Sequence, residues 1–94
     1  MLYQVQWRPP ALEQLLEIIE YVGRHNLIAA TKLFETLRGC TDRLAEFPEL
    51  YPVSRFVPGQ REIVAHPNYI VLYEVDHHRQ LVSVTAVTHS RRRR

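Results

Sequence analysis

Tyr3-Gln4-Val5-Gln6-Trp7-Arg8-Pro9-Pro10-Ala11-Leu12 is the stretch on which the fold turns. Tyr3, Val5 and Trp7 alternate with Gln4, Gln6 and Arg8, a period of two that belongs to a short strand with one wet face. Pro9-Pro10 ends that strand, because proline cannot donate to a strand ladder. Proline does suit the first turn of a helix, where the missing donor has no intrahelical partner. The switch therefore predicts a helix from the prolines onward. Leu12, Leu15, Leu16, Ile19 and Val22 continue at three- and four-residue steps, with Glu13, Gln14, Glu17 and Glu20 mostly opposite, until Gly23 offers a stop.

Working outward, Ala30, Leu33, Leu37, Cys40, Leu44 and Phe47 form a second helical stripe, which predicts a helix ended by Pro48 and an antiparallel helical hairpin. Pro48, Pro52 and Pro58 place half of the six prolines within eleven residues, so that stretch reads as an extended loop. After Gly59 the period changes. Gln60 to Ala65, Tyr69 to Val75 and Leu81 to Thr88 are rich in Val, Ile, Leu, Tyr and Thr, and short polar connections between them predict an antiparallel meander. The expected architecture is α+β: a strand, a two-helix antiparallel hairpin packed on one sheet face, then a three-stranded antiparallel meander. Tyr69 to Val75 is apolar on both faces and belongs inside the sheet, while the face without helices is left open to a partner.

With 94 residues the chain holds one core, a single domain over 1–94 in which 90–94 is a basic tail. The formal charge of +2 hides a division. Four of the twelve basic residues are Arg91, Arg92, Arg93 and Arg94, which leaves eight against ten acidic ones in the remainder. The body is acidic and the end is a cation. A single cysteine, Cys40, excludes a disulfide framework within the chain and suits a reducing compartment. No apolar run approaches the roughly 20 residues of a membrane span. The expectation is a cytoplasmic protein with no membrane partner, no metal and no cofactor. No phosphate-cradling glycine loop, nucleophile elbow or zinc signature is present.

His89, placed before Ser90 and the arginines, is the first site candidate, since guanidinium groups bind oxyanions in a fork and imidazole carries a proton near neutral pH. The plainer alternative is a solvated strand end. Arg91, Arg92 and Arg93 can contact nucleic acid, anchor an acidic partner or fray in solvent, and such contacts add affinity without choosing a sequence. Arg55 and Arg61 flank Gly59, and Arg61, at a strand start, is held for fixed chemistry or pairs with a carboxylate. Glu46 and Glu49 are acid–base candidates by type alone. Tyr69 and Tyr73 either stack on a base or fill the core. His77-His78 sits in an expected turn.

Taken together, the strings resemble the RelE/ParE superfamily, the toxin halves of bacterial type II toxin–antitoxin modules. The likeness rests on Tyr3 to Ala11, the helix Leu12 to Tyr21, Ala29-Ala30, Leu44-Ala45-Glu46-Phe47-Pro48, Pro58-Gly59-Gln60-Arg61-Glu62, Tyr69 to Val75 and Val87 to Arg92. It implies a growth-arresting toxin held inactive in a hetero-oligomer by a cognate antitoxin.

Within the resemblance, RelE-like members cut messenger RNA on the ribosome, and ParE-like members poison DNA gyrase without hydrolysis. Metal-free RNA cleavage needs a base, an acid and cations around the phosphorane. On the ribonuclease reading Arg61, His89 and Arg91 supply these. However, a second basic residue usual near the start of the third strand is replaced by Tyr69, Ile70 and Val71, and the one lysine, Lys32, lies on a helix. The Gly-Gln-Arg-Glu turn and the His-x-Arg-Arg ending look more like ParE. The preferred expectation is thus a gyrase poison whose target surface is Arg55, Arg61, His89, Arg91, Arg92 and Arg93. The alternatives are a ribosome-dependent messenger RNA endoribonuclease and a degenerate member that only binds its antitoxin.

Overall fold

Arg8 is where strand hands over to helix. Its N–H still donates to the Val84 carbonyl in the sheet, while its own carbonyl accepts from Ala11 and Leu12. Pro9 and Pro10 take the first helical positions, so the donors they lack are ones that have no partner in any helix. The computed structural model describes residues 2–92. In it β1 runs Gln4–Trp7 and α1 Pro9–Gly23, close to the expected bounds. The Asn26 side chain accepts from the Ala29 N–H at 3.0 Å and caps α2, Leu27–Gly39. Three residues separate the helices, which return as the expected hairpin.

α1 buries Ala11 and Leu15 and half-buries Ile18, Ile19 and Val22, whereas Leu12 and Leu16 of the expected stripe stay exposed. A cross-element bond fixes that rotation: Gln14 Oε1 accepts from the Val87 N–H at 2.8 Å. The second helix is shorter than its stripe predicts. It ends at Gly39, and residues 40–46 continue as tight turns in which Asp42, Leu44 and Glu46 bond three residues back. Glycine weakens a helix by about 1 kcal/mol relative to alanine. Side chains then take the freed carbonyls, Cys40 Sγ donating to Leu37 at 3.1 Å and Thr41 Oγ1 to Arg38 at 3.2 Å. Leu44 still reaches the core, but Phe47 does not and carries the Arg43 guanidinium 5.3 Å from its ring centroid.

β2 (Arg61–His66), β3 (Tyr69–Asp76) and β4 (Leu81–His89) form the expected meander. β1 joins parallel to β4, which gives the order β1-β4-β3-β2 and places β3 inside the sheet. The β3–β4 register slips between Leu72–Ala86 and Tyr73–Val84, so Thr85 is an extra residue on β4. Because of that bulge Val82, Val84 and Val87 all face the helices, with Val71, Tyr73, Leu15, Leu37 and Leu44. The other face is less open than expected. Glu62, Ile70, Leu72 and Ser83 in its middle are buried, flanked by side chains on neighbouring strands, while Gln4, Gln6 and Val64 nearer the edges are exposed.

Tyr73 settles its own alternative as a core residue with a satisfied hydroxyl. It donates to the Pro48 carbonyl at 2.9 Å and accepts from the Tyr51 N–H at 3.4 Å, which ties the proline-rich loop to β3. Leu37 is fully buried, so Leu37→Ala should lower the unfolding free energy in denaturant titrations by about 2–5 kcal/mol. Leu27→Ala, at a side chain 75% exposed, should stay within about 0.5 kcal/mol of the parent.

Candidate functional site

Arg61 and His89 both lie on the helix-covered face of the sheet, Arg61 at the start of β2 and His89 at the end of β4. Arg61 stands opposite Tyr73 and His89 opposite Tyr69, so four residue steps along β3, about 13 Å of strand, separate them. Arg61 is tied down. Its Nη1 donates to the Tyr51 carbonyl at 2.7 Å, and its Nη2 lies 3.6 Å from Glu49 Oε2. The same carboxylate oxygen is 2.8 Å from His77 Nε2, and His77 Nδ1 is 2.7 Å from the Tyr3 hydroxyl. A histidine that donates through Nε2 to a carboxylate keeps Nδ1 as an acceptor for the phenol, so the ring is satisfied on both sides. The chain Tyr3–His77–Glu49–Arg61 joins the entry of β1, the loop after α2, the start of β2 and the β3–β4 turn. Half-exposed ion pairs contribute about 0–1 kcal/mol each, so this network positions segments more than it stabilises them.

At the other end His89 meets Tyr69 edge-on, with ring centroids 5.3 Å apart, and its Nδ1 accepts from the Arg91 N–H at 3.2 Å. That bond leaves the proton of the neutral ring on Nε2. His66 tilts against the same Tyr69 at 5.6 Å. A cleft of about 420 Å³ opens here between α1 and the ends of β3 and β4, lined by Gln14, Glu17, Tyr21, Tyr69 and His89. Sequence reading missed the α1 side, since Gln14 and Glu17 count as the outer face of the helix. The available signal was the spacing of 14, 17 and 21, which stacks three hydrogen-bonding side chains on one face.

The basic end begins as an ordered 3-10 turn, Ser90–Arg92, held by the Ser90 N–H on the Asn68 carbonyl at 2.8 Å. Arg91 is exposed; only the backbone of Arg92 is described, and Arg93 and Arg94 lie outside the described residues. The structure thus brings His89 and Arg91 together. Arg61 stays apart, and Arg55 belongs to a separate turn, its guanidinium 6.0 Å from the Phe56 ring centroid. Among the described residues no group of three or more His, Cys, Asp or Glu can hold a metal, and no helix is long and apolar enough to cross a membrane. Burial, helped by the Asp42 charge, pushes the Cys40 thiol up to about 12, which removes it as a nucleophile.

A family model described as the ParE toxin of the type II toxin–antitoxin system parDE matches residues 5–94. The chain belongs to the ParE toxin family. As a whole, this ParE-family chain is a type II toxin of the RelE/ParE superfamily. Toxin RelE2 of Caulobacter vibrioides is 33% identical over 89 residues, which cover 95% of this chain and 97% of that protein. Among solved structures, the chromosomal ParDE system of P. aeruginosa superposes with a TM-score of 0.79 at 14% identity, covering 94% of this chain and 96% of the other. Isolated E. coli RelE superposes with a TM-score of 0.65 at 19% identity, covering 93% and 83%. At such identities the structural likeness establishes the shared fold.

Cys40 should resist alkylation in the native ParE-family protein up to a pH of about 10 and react promptly once unfolded. The unfolded thiol releases its proton near 9.0 and the folded one near 12. The native state therefore holds the extra proton in that window, and stability should be level below about 9 and fall as pH rises toward 12.

Proposed function

We propose that this toxin arrests growth by poisoning DNA gyrase in the cytoplasm, and that a cognate antitoxin holds it inactive in a hetero-oligomer. The observation that carries the choice is the separation of Arg61 from His89. A ribonuclease needs its cations and proton carriers around one phosphate. Here Arg61 is spent on Tyr51 and Glu49, about 13 Å of strand away from His89. His89 and Arg91 remain as a cationic corner suited to contacting gyrase or its DNA. The name of the Caulobacter relative favours the second reading, a RelE-like messenger RNA endoribonuclease acting on the ribosome.

An antitoxin is supported by surface that the chain leaves uncovered. Leu12, Leu16, Leu27 and Ile28 are exposed on the helical hairpin, and β1 and β2 are sheet edges. An amphipathic or extended acidic segment covers such features by groove binding or strand addition.

Induction without antitoxin, followed by assays of gyrase supercoiling, gyrase-linked DNA breaks and message integrity, decides the target. Accumulating breaks with intact message is the expected result, and codon-positioned message cuts would overturn it. Unaffected growth would leave an antitoxin-binding module. His89→Ala adds an independent reading: a lost general acid or base slows cleavage about 10²–10⁴-fold, whereas the gyrase reading expects most of the poisoning to survive.

A further inference from the structure

The cleft beside His89 gathers several polar groups whose hydrogen-bonding capacity is unused. Gln14 spends its Oε1 on Val87 and keeps its amide N–H groups free. Glu17, the Tyr21 and Tyr69 hydroxyls and His89 Nε2 make no hydrogen bond or ion pair among the described residues. These residues line a space of about 420 Å³ together with the apolar Ile18 and Val87. Volume, apolar lining and a few unpaired polar atoms are the attributes of a small-ligand site.

We infer that this cleft binds the guanine base of a nucleotide. The walls supplied by Tyr21, Tyr69 and His89 are aromatic and accept a flat ring by stacking. Glu17 is an acceptor-only fork, and guanine presents two adjacent donors, N1–H and the 2-amino group, which a carboxylate takes in parallel. The free Gln14 amide can donate to the guanine O6 or N7 acceptors. Adenine fails the same test, because its N1 is an acceptor and would face the Glu17 oxygens. A guanidinium from a basic peptide offers a matching fork but meets Arg91, exposed and unpaired among the described residues, with further arginines after it. A phosphate-bearing guest is attracted by that same charge. The inference concerns the ligand of the cleft and stands whether gyrase or message is the cellular target.

The full-length protein titrated with GMP, AMP, CMP and UMP, followed by the Tyr69 and His89 ring resonances and by calorimetry, tests it. Saturable shifts with GMP at least about tenfold tighter than with AMP are expected. Glu17→Gln, at an exposed position that leaves the core untouched, should abolish that preference, and Tyr21→Ala should weaken every base by about fivefold or more. Short guanine-containing strands of RNA and DNA identify the source: tighter binding than GMP marks a strand, and equal binding a free nucleotide. Equal affinity for GMP and AMP, no saturable shift with any nucleotide, a preference that survives Glu17→Gln, or displacement of GMP by N-acetylarginine amide would each overturn the inference.

Discussion

The parallel pairing of β1 with β4 is the constraint on which the molecule depends, because parallel neighbours cannot be joined by a tight turn. After β1 the chain has to leave the sheet and re-enter it elsewhere before it can reach β4. The helical hairpin makes the outward part of that excursion, and the meander returns the chain so that its last strand meets its first. Arg8 bears the local consequence, serving the sheet through its N–H and the helix through its carbonyl. Burying Val82 and Val84 beneath the helices follows from the same pairing, since β4 then has strands on both sides.

Closing the sheet this way also separates its two ends chemically. At one end Tyr3, His77, Glu49 and Arg61 consume one another's hydrogen-bonding capacity, and Tyr73 anchors the neighbouring loop through Pro48 and Tyr51. That end is a clasp. At the other, the His89 ring meets a neighbouring backbone N–H and the Tyr69 ring, with Arg91 beside it. Free groups collect where the clasp is not. The Thr85 bulge helps to set this division, because without the extra residue Val87 and His89 would turn to the opposite face, away from α1.

The charge division follows the same geometry. Acidic side chains in the body are spread over both helices, the loop after α2, β2 and β3, whereas the terminal arginines begin where β4 ends. An excess of two positive charges is therefore a poor description of the surface, which places the exposed Arg91 near a cleft that Glu17 lines. Attraction for an anionic partner in such an arrangement is short-ranged, within about 8–10 Å at physiological salt.

Period and punctuation in the sequence by themselves determined the element types. The strand Tyr3 to Trp7, the helix opening at Pro9-Pro10, the hairpin and the three-stranded meander were legible because side-chain alternation and proline chemistry act over a few residues. The end of the second helix was not, since the stripe continues through Leu44 and Phe47 while the backbone, past Gly39, does not stay α-helical. His89 and Arg91 were legible as neighbours because they are close in sequence. Only the tertiary structure decided that β1 lies against β4, that Arg61 lies beside Glu49 and the Tyr51 carbonyl, and that Gln14, Glu17 and Tyr21 share a cleft with His89. Those outcomes depend on contacts between residues from about ten to more than seventy positions apart, fixed by strand register and by the rotation of α1 about its axis, and no local pattern encodes either.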